Sequence, residues 1–305
     1  GAFLAQWVIT IGKQAEPKPY YTPNYQRKFE TTRPYIKLGL AAICKNEEEN
    51  VIGFLKPFKD RVDATVIYDD NSTDGTVALL QQCLSPLEHP PKRHMIIYGT
   101  GKDEGFSAKR NRAVEALEKM DVDAVIWGDF DERMENPHRI KKYLRGDLEL
   151  FQGFRIIQYQ MLADKSGINT RDFPIRMFRS KKGYRFVGLI HESPQKSLNA
   201  YIWPLYNVPG EDFQFLHYGY TTELIRRGKA INRNFALLDR DQAVNPEREF
   251  GKVLKMRDIF HVCAWYLEQN DNPTAKQIEQ LNVIVTWYEL FRDHIRILKF
   301  EYTNS

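Results

Sequence analysis

Between residues 38 and 131 the chain repeats one form, in which an apolar, β-favouring run stops at polar or acidic residues and gives way to a helical pattern. Leu38-Gly39-Leu40-Ala41-Ala42-Ile43-Cys44 leads into Lys45-Asn46-Glu47-Glu48-Glu49-Asn50, and Ala64-Thr65-Val66-Ile67-Tyr68 into Asp69-Asp70-Asn71-Ser72-Thr73-Asp74-Gly75-Thr76. A third strand over 94–98 is followed by a basic helix, and a fourth, Val125-Ile126-Trp127-Gly128, ends in Asp129-Phe130-Asp131-Glu132. Strands alternating with helices build a largely parallel sheet covered on both faces, and such sheets bind ligands beyond the carboxyl ends of their strands. The acids stand at those ends.

Close carboxylates repel one another and resist desolvation, so a buried strand that finishes in three acids calls for a cation. Mg²⁺ and Mn²⁺ take oxygen ligands and are held by one or two carboxylates together with substrate phosphates. Taken alone, Asp-x-Asp reads more readily as a solvated turn, and its weight comes from the segments that precede it. Asp70 is placed to accept hydrogen bonds from a ribose or a base, whereas Ser72 and Thr73 have ordinary turn chemistry. Asn46 suits the N-cap of the first helix, with three glutamates in its first turn. Ser107 suits the N-cap of the third, whose opening turns carry Lys109, Arg110 and Arg112 against the helix dipole. Two readings of those cations stand side by side: an anion docks at the helix start, or a solvated basic face pairs with Glu115 and Glu118.

The order of these segments resembles the nucleotide-sugar-binding half of family 2 glycosyltransferases of the GT-A fold. The matching motifs are Asn46-Glu47-Glu48, the run from Asp69 to Thr76, Gly105 through Arg110-Asn111, and Asp129-Phe130-Asp131-Glu132. The resemblance implies a Rossmann-like mixed sheet flanked by helices. It also implies inverting, metal-dependent transfer of a sugar from a nucleotide-diphosphate donor, with a UDP-sugar favoured and Mn²⁺ or Mg²⁺ as cofactor. Asn46, Glu47, Asp70, Lys109, Arg110 and Asp129 would contact the donor, and Asp131 would ligate the metal. Further on, Pro174-Ile175-Arg176-Met177-Phe178-Arg179, Gly188-Leu189-Ile190-His191-Glu192 and His217-Tyr218-Gly219-Tyr220 resemble segments of soluble members with helical appendages. By that likeness Glu192 is the general base, His217 the third protein ligand of the metal, and Arg176, Arg179 and His191 face the acceptor. The sequence departs from the family pattern at Glu132, where Asp is usual, and at Lys109, and it lacks the Q-x-x-R-W signature of processive synthases.

The 305 residues suffice for one large domain with an appendage. We divide them into an N-terminal arm over 1–36, a catalytic domain over 37–220 and a helical appendage over 221–305. The catalytic domain splits in turn into a nucleotide-sugar half, 37–135, and an acceptor half, 136–220. A strand is expected over 153–159, a helix around Ile140, Tyr143 and Leu144, and strand ends before His191 and His217. Residues 171–185 hold six basic side chains against one acid, a patch suited to an anionic acceptor, nucleic acid included, or to solvent. No apolar run reaches the length of a membrane span, and three cysteines in apolar settings point to a reducing cytoplasm. The net charge of +4 permits an anionic partner without demanding one. Three helices are expected beyond residue 221, open to roles as lid, acceptor platform or dimer surface. The competing functions are a nucleotidyltransferase, which would ordinarily show a Gly-rich basic loop after the first strand, and a non-catalytic nucleic-acid-binding scaffold.

Overall fold

The computed structural model describes residues 35–84, 93–101, 104–162, 167–198, 200–219, 233–248 and 282. Residues 1–34 of the N-terminal arm, and the expected helices around Met256–Leu267 and Ile278–Ile295 with any dimer surface they form, lie outside the described residues.

A seven-stranded mixed sheet forms the centre, in the order β13-β6-β9-β4-β1-β2-β3. Strands β1 (Leu38–Cys44), β2 (Ala64–Asp69), β3 (Arg93–Tyr98) and β4 (Ala124–Asp129) run parallel. Beside β4, β9 (Ile175–Arg179) is antiparallel, and β6 (Gly153–Arg155) and β13 (Leu205–Asn207) complete the sheet. Helices lie on both faces. Leu38, Leu40, Ala42 and Cys44 share a core with Val51 and Phe54 of α1 (Val51–Leu55) and Leu80 of α2 (Thr76–Cys83). Ala41, Val66, Val125 and Trp127 point the other way, onto Ala113, Val114 and Leu117 of α3 (Gly105–Lys119). Burial on both faces accounts for the continuous apolar runs of these strands.

A second sheet, β5-β14-β7-β8, joins β5 (Glu132–Glu135), β14 (Gln214–His217), β7 (Gln158–Met161) and β8 (Ile168–Asp172). A third holds β10 (Arg185–Val187), β11 (Ser193–Ser197) and β12 (Ala200–Tyr201). Helix α4 (Phe235–Val244) follows. Among the described residues no helix is long and apolar enough to cross a membrane.

The expected mixed sheet flanked by helices is present, and four local expectations change. The run 153–159 is two strands in two different sheets, β6 and β7. The segment around Ile140 is a 3₁₀ helix, Pro137–Leu144. Asn46 caps nothing, because α1 begins at Val51; it sits at φ 55° and its Oδ1 accepts the Thr73 N–H at 2.8 Å, tying two loops together. Ser107 lies inside α3, which starts at Gly105, and its hydroxyl donates to the Gly188 carbonyl.

Candidate active site

Cys44 is in register with Asp69 and Ile43 with Asp129, so β2 and β4 present their acidic ends at one edge of the sheet, on either side of β1. From β1 the chain order runs outward to β2 and β3 on one side and to β4 on the other, the switch point at which open α/β sheets form a ligand crevice.

The turn after β4 is built around its middle residue. Phe130 is 1% exposed and packs its ring 4.5 Å from that of Phe54, which turns Asp129 and Asp131 away from the core. Glu132 then folds back, and its Oε2 accepts the Asp129 N–H at 2.8 Å while its other oxygen accepts from Arg176. This carboxyl is fully buried, and burial raises its pKa to about 7 against the pull of Arg176. In the sequence Glu132 counts as the last of three acids and as a departure from the usual Asp. Its extra methylene is what lets it reach back under the turn.

Arg110 bridges two acids, its Nη2 donating to Asp129 Oδ1 and its Nε to Glu192 Oε1, each at 2.5 Å. Arg176 approaches Asp129 from β9 at 3.8 Å. Both guanidiniums lie over the Trp127 ring, at 4.4 and 4.0 Å from its centroid, and the indole N–H is fixed on the Ile175 carbonyl at 2.7 Å. Burial works against the charge of Asp129, but Arg110 and Arg176 outweigh it and hold its pKa at about 2. Three carboxylates, Asp129, Glu132 and Glu192, thus face two guanidiniums, with Asp131 beside them on His217.

Asp131 and His217 come together because β14 pairs with β5, setting His217 opposite Glu132, and because Tyr218 N–H donates to the Asp131 carbonyl at 2.9 Å. Asp131 Oδ2 stands 3.3 Å from His217 Nε2. On the far side of the ring, Gln160 Nε2 donates to Asp172 Oδ2 at 3.1 Å, so its carbonyl oxygen faces His217 Nδ1, at 2.5 Å. Nδ1 therefore carries a proton, which leaves Nε2, facing Asp131, as the nitrogen that holds either a metal or a second proton. A lone pair and a carboxylate oxygen this close repel unless a proton or a metal cation lies between them. Burial lowers the His217 pKa and the Asp131 carboxylate outweighs it, for a net rise.

These residues fit a divalent ion. Two donors side by side on one ion at about 2.1 Å stand about 3 Å apart. A Cβ at Gly219 would overlap both Asp131 Oδ2 and His217 Nε2, so the glycine keeps that space open. Among the described residues no three His, Cys, Asp or Glu side chains form a complete cation cage. A carboxylate and an imidazole with phosphate oxygens to finish the shell is the arrangement Mg²⁺ and Mn²⁺ accept.

The other expected site residues divide. Asp70 receives Lys109 Nζ at 2.7 Å and Lys45 at 3.8 Å, bringing two of the donor candidates into contact. Glu47 lies in the stitched loops beside Asn46, its N–H donating to Thr76 Oγ1 at 2.7 Å. All three cations that open α3 are paired within the protein, Lys109 to Asp70, Arg110 to Asp129 and Glu192, and Arg112 to Glu104. Neither sequence reading of that basic turn anticipated this. Arg176 is buried in the pair with Glu132, and Arg179 donates to the carbonyls of Leu144, Leu148 and Phe151. With Lys181 on Asp121 and Arg185 on Glu118, four of the six basic side chains of 171–185 are engaged within the protein. His191 lies in the loop between β10 and β11, at φ 49°, and not at a strand end. Gln160 and Asp172 were missed because the expected strand stopped at 159. Two glutamines alternating on a buried strand, Gln158 and Gln160, are the signal that could have shown them.

No protein-family model and no curated sequence matches the chain. Among solved structures it is similar to S. aureus TarS, at 14% identity and TM-score 0.43, over 65% of this chain and 39% of that one. It is also similar to S. aureus TarS 1-349 in complex with UDP, at 13% identity and TM-score 0.42, over 75% and 80% of the two chains. A third is the mannosyltransferase PcManGT from Pyrobaculum calidifontis in complex with GDP-Man and Mn²⁺, at 12% identity and TM-score 0.44, over 99% and 92%. The chain thus spans well under half the length of the first TarS structure. At these scores the likenesses decide nothing about activity, which is left to the site itself.

Proposed function

We propose that this chain is an inverting, metal-dependent glycosyltransferase of GT-A type that moves a sugar from a nucleotide diphosphate to an acceptor hydroxyl or other nucleophile. The observation that carries the reading is the Asp131–His217 pair, its imidazole tautomer fixed by Gln160 and its space kept open by Gly219, at the crevice between β1 and β4.

Asp131 and His217 would hold Mn²⁺ or Mg²⁺, an ion that would supply positive charge to the diphosphate leaving group. Asp70, kept in place by Lys109, accepts hydrogen bonds from the ribose or base. Asp129 is one-third exposed and locked by Arg110 and Arg176, and it is assigned to contact the donor. Glu192 takes the acceptor proton on Oε2 while Arg110 orients it through Oε1, a contribution of about 10²–10⁴-fold. Cys44 and Cys83 are free thiols, in keeping with a reducing, cytoplasmic setting.

The test is thermal stability in the presence of UDP-, GDP-, CMP- and TDP-sugars with and without Mn²⁺. A sugar nucleotide that stabilises the protein only with metal, an effect lost in Asp131→Asn while the circular dichroism stays unchanged, supports the proposal. Stabilisation by nucleoside triphosphates and metal, but by no sugar nucleotide, would favour a nucleotidyltransferase.

A further inference from the structure

The loop 188–192 has irregular backbone, with Gly188 at φ +105° and His191 at φ 49°, and no strand ladder to satisfy its polar groups. A buried loop of this kind must find partners elsewhere. It finds them on α4 and just beyond. Asp241 Oδ1 accepts the Leu189 N–H at 2.9 Å. Arg248 donates to the Ile190 carbonyl at 3.2 Å through Nη1 and to the His191 carbonyl at 2.8 Å through Nη2. The two side chains also pair with each other at 2.5 Å, and neither is exposed. A Cβ at Gly188 would overlap the Arg248 guanidinium, so the glycine admits the arginine. The start of α3 joins in: Phe106 N–H donates to the Leu189 carbonyl at 3.3 Å, and Ile190 shares an apolar cluster with Phe106 of α3 and Leu237 and Leu238 of α4.

A fully buried ion pair is weak as a source of stability, because desolvation offsets most of its attraction. This one earns its place by the backbone it holds. The residue that follows the clamped loop is Glu192. We infer that Asp241 and Arg248 are positioning residues for Glu192: they fix the 188–191 backbone so that the carboxylate meets Arg110 and the acceptor proton in one geometry. The inference rests on the reading of Glu192 as the base, and it gives the segment after residue 233 a part in the reaction that the sequence did not disclose.

The experiment follows nucleotide release from UDP-glucose and GDP-mannose with Mn²⁺, water serving as acceptor. In Arg248→Ala and Asp241→Asn, kcat is expected to fall about 10–100-fold while KM and the affinity for UDP with Mn²⁺ stay within about twofold, since a displacement of about 1 Å costs on that order. Free guanidinium should restore part of the Arg248→Ala turnover, which a general loss of folding would not allow. Glu192→Gln separates the two ideas. If it keeps full turnover, the base reading fails; if it loses turnover while both clamp variants keep theirs, the clamp inference alone falls. Amide hydrogen exchange on the intact chain needs neither turnover nor a variant. Slow exchange at Leu189, comparable with β4, supports the clamp, and exchange at an open-loop rate overturns it.

Discussion

At Gly219, one missing methyl group governs whether Asp131 and His217 can share an ion. Gly219→Ala is expected to weaken Mn²⁺ binding by about tenfold or more without altering the circular dichroism, as measured by electron paramagnetic resonance of free Mn²⁺. Gln160 acts one bond further out. Replacing it with leucine removes the acceptor that holds the Nδ1 proton, so the ring can turn its protonated nitrogen toward Asp131. We expect Mn²⁺ affinity to drop about 10–100-fold in that variant, and titration calorimetry in the presence of UDP checks it. Asp131 and His217 drew attention in the sequence through the family resemblance, each lying at or just beyond the end of an apolar run. Gln160, Asp172 and the role of Glu132 did not, because a side chain acting through another residue leaves no mark in spacing.

Among the elements, the turn from β4 to β5 depends on Phe130 being seated in the core. Phe130→Ala should cost about 3–5 kcal/mol in urea unfolding and release the flanking aspartates from their outward orientation. A second device ties β1, the end of α3 and the turn after β9: Asp121 accepts Lys37 Nζ at 3.2 Å and also receives Lys181. The Lys181 hydrogen bond, with Lys37 next, holds the Asp121 pKa at about 2, below its ordinary 3.8. A depressed folded-state pKa contributes stability that is fully present above about pH 4 and is lost as pH falls toward 2. Asp121→Asn should therefore flatten the acid limb of the stability curve in that window, measured by urea unfolding across pH. The parallel core β1 to β4 could be read from pattern because buried strands are continuous and apolar. Of the later strands only parts could be read, a run over 153–159 and an end before His217: three- and four-residue strands such as β6, β7 and β10 carry little pattern, and their partners are set by long-range register.

For the molecule as a whole, the site gathers residues from β4, β9, β14, α3 and the 188–192 loop, so ligand binding should stiffen both larger sheets together. Mn²⁺ with UDP is expected to slow amide exchange at the ends of β4 and of β14 in the same titration, and protection confined to β4 would contradict a site that spans them. The acidic crevice was visible in the chain because its chemistry is local. The clamp between α4 and residues 188–191 was invisible, because Asp241 and Arg248 look like ordinary helix-surface charges until the fold encloses them.

Trp127 supports two guanidiniums on one indole, and both reach the same aspartate. Any molecule that draws Arg110 or Arg176 aside changes the electric field across that ring. Among the five tryptophans of the chain, this one should therefore serve as a built-in optical gauge, its emission shifting as the crevice fills and returning as it empties.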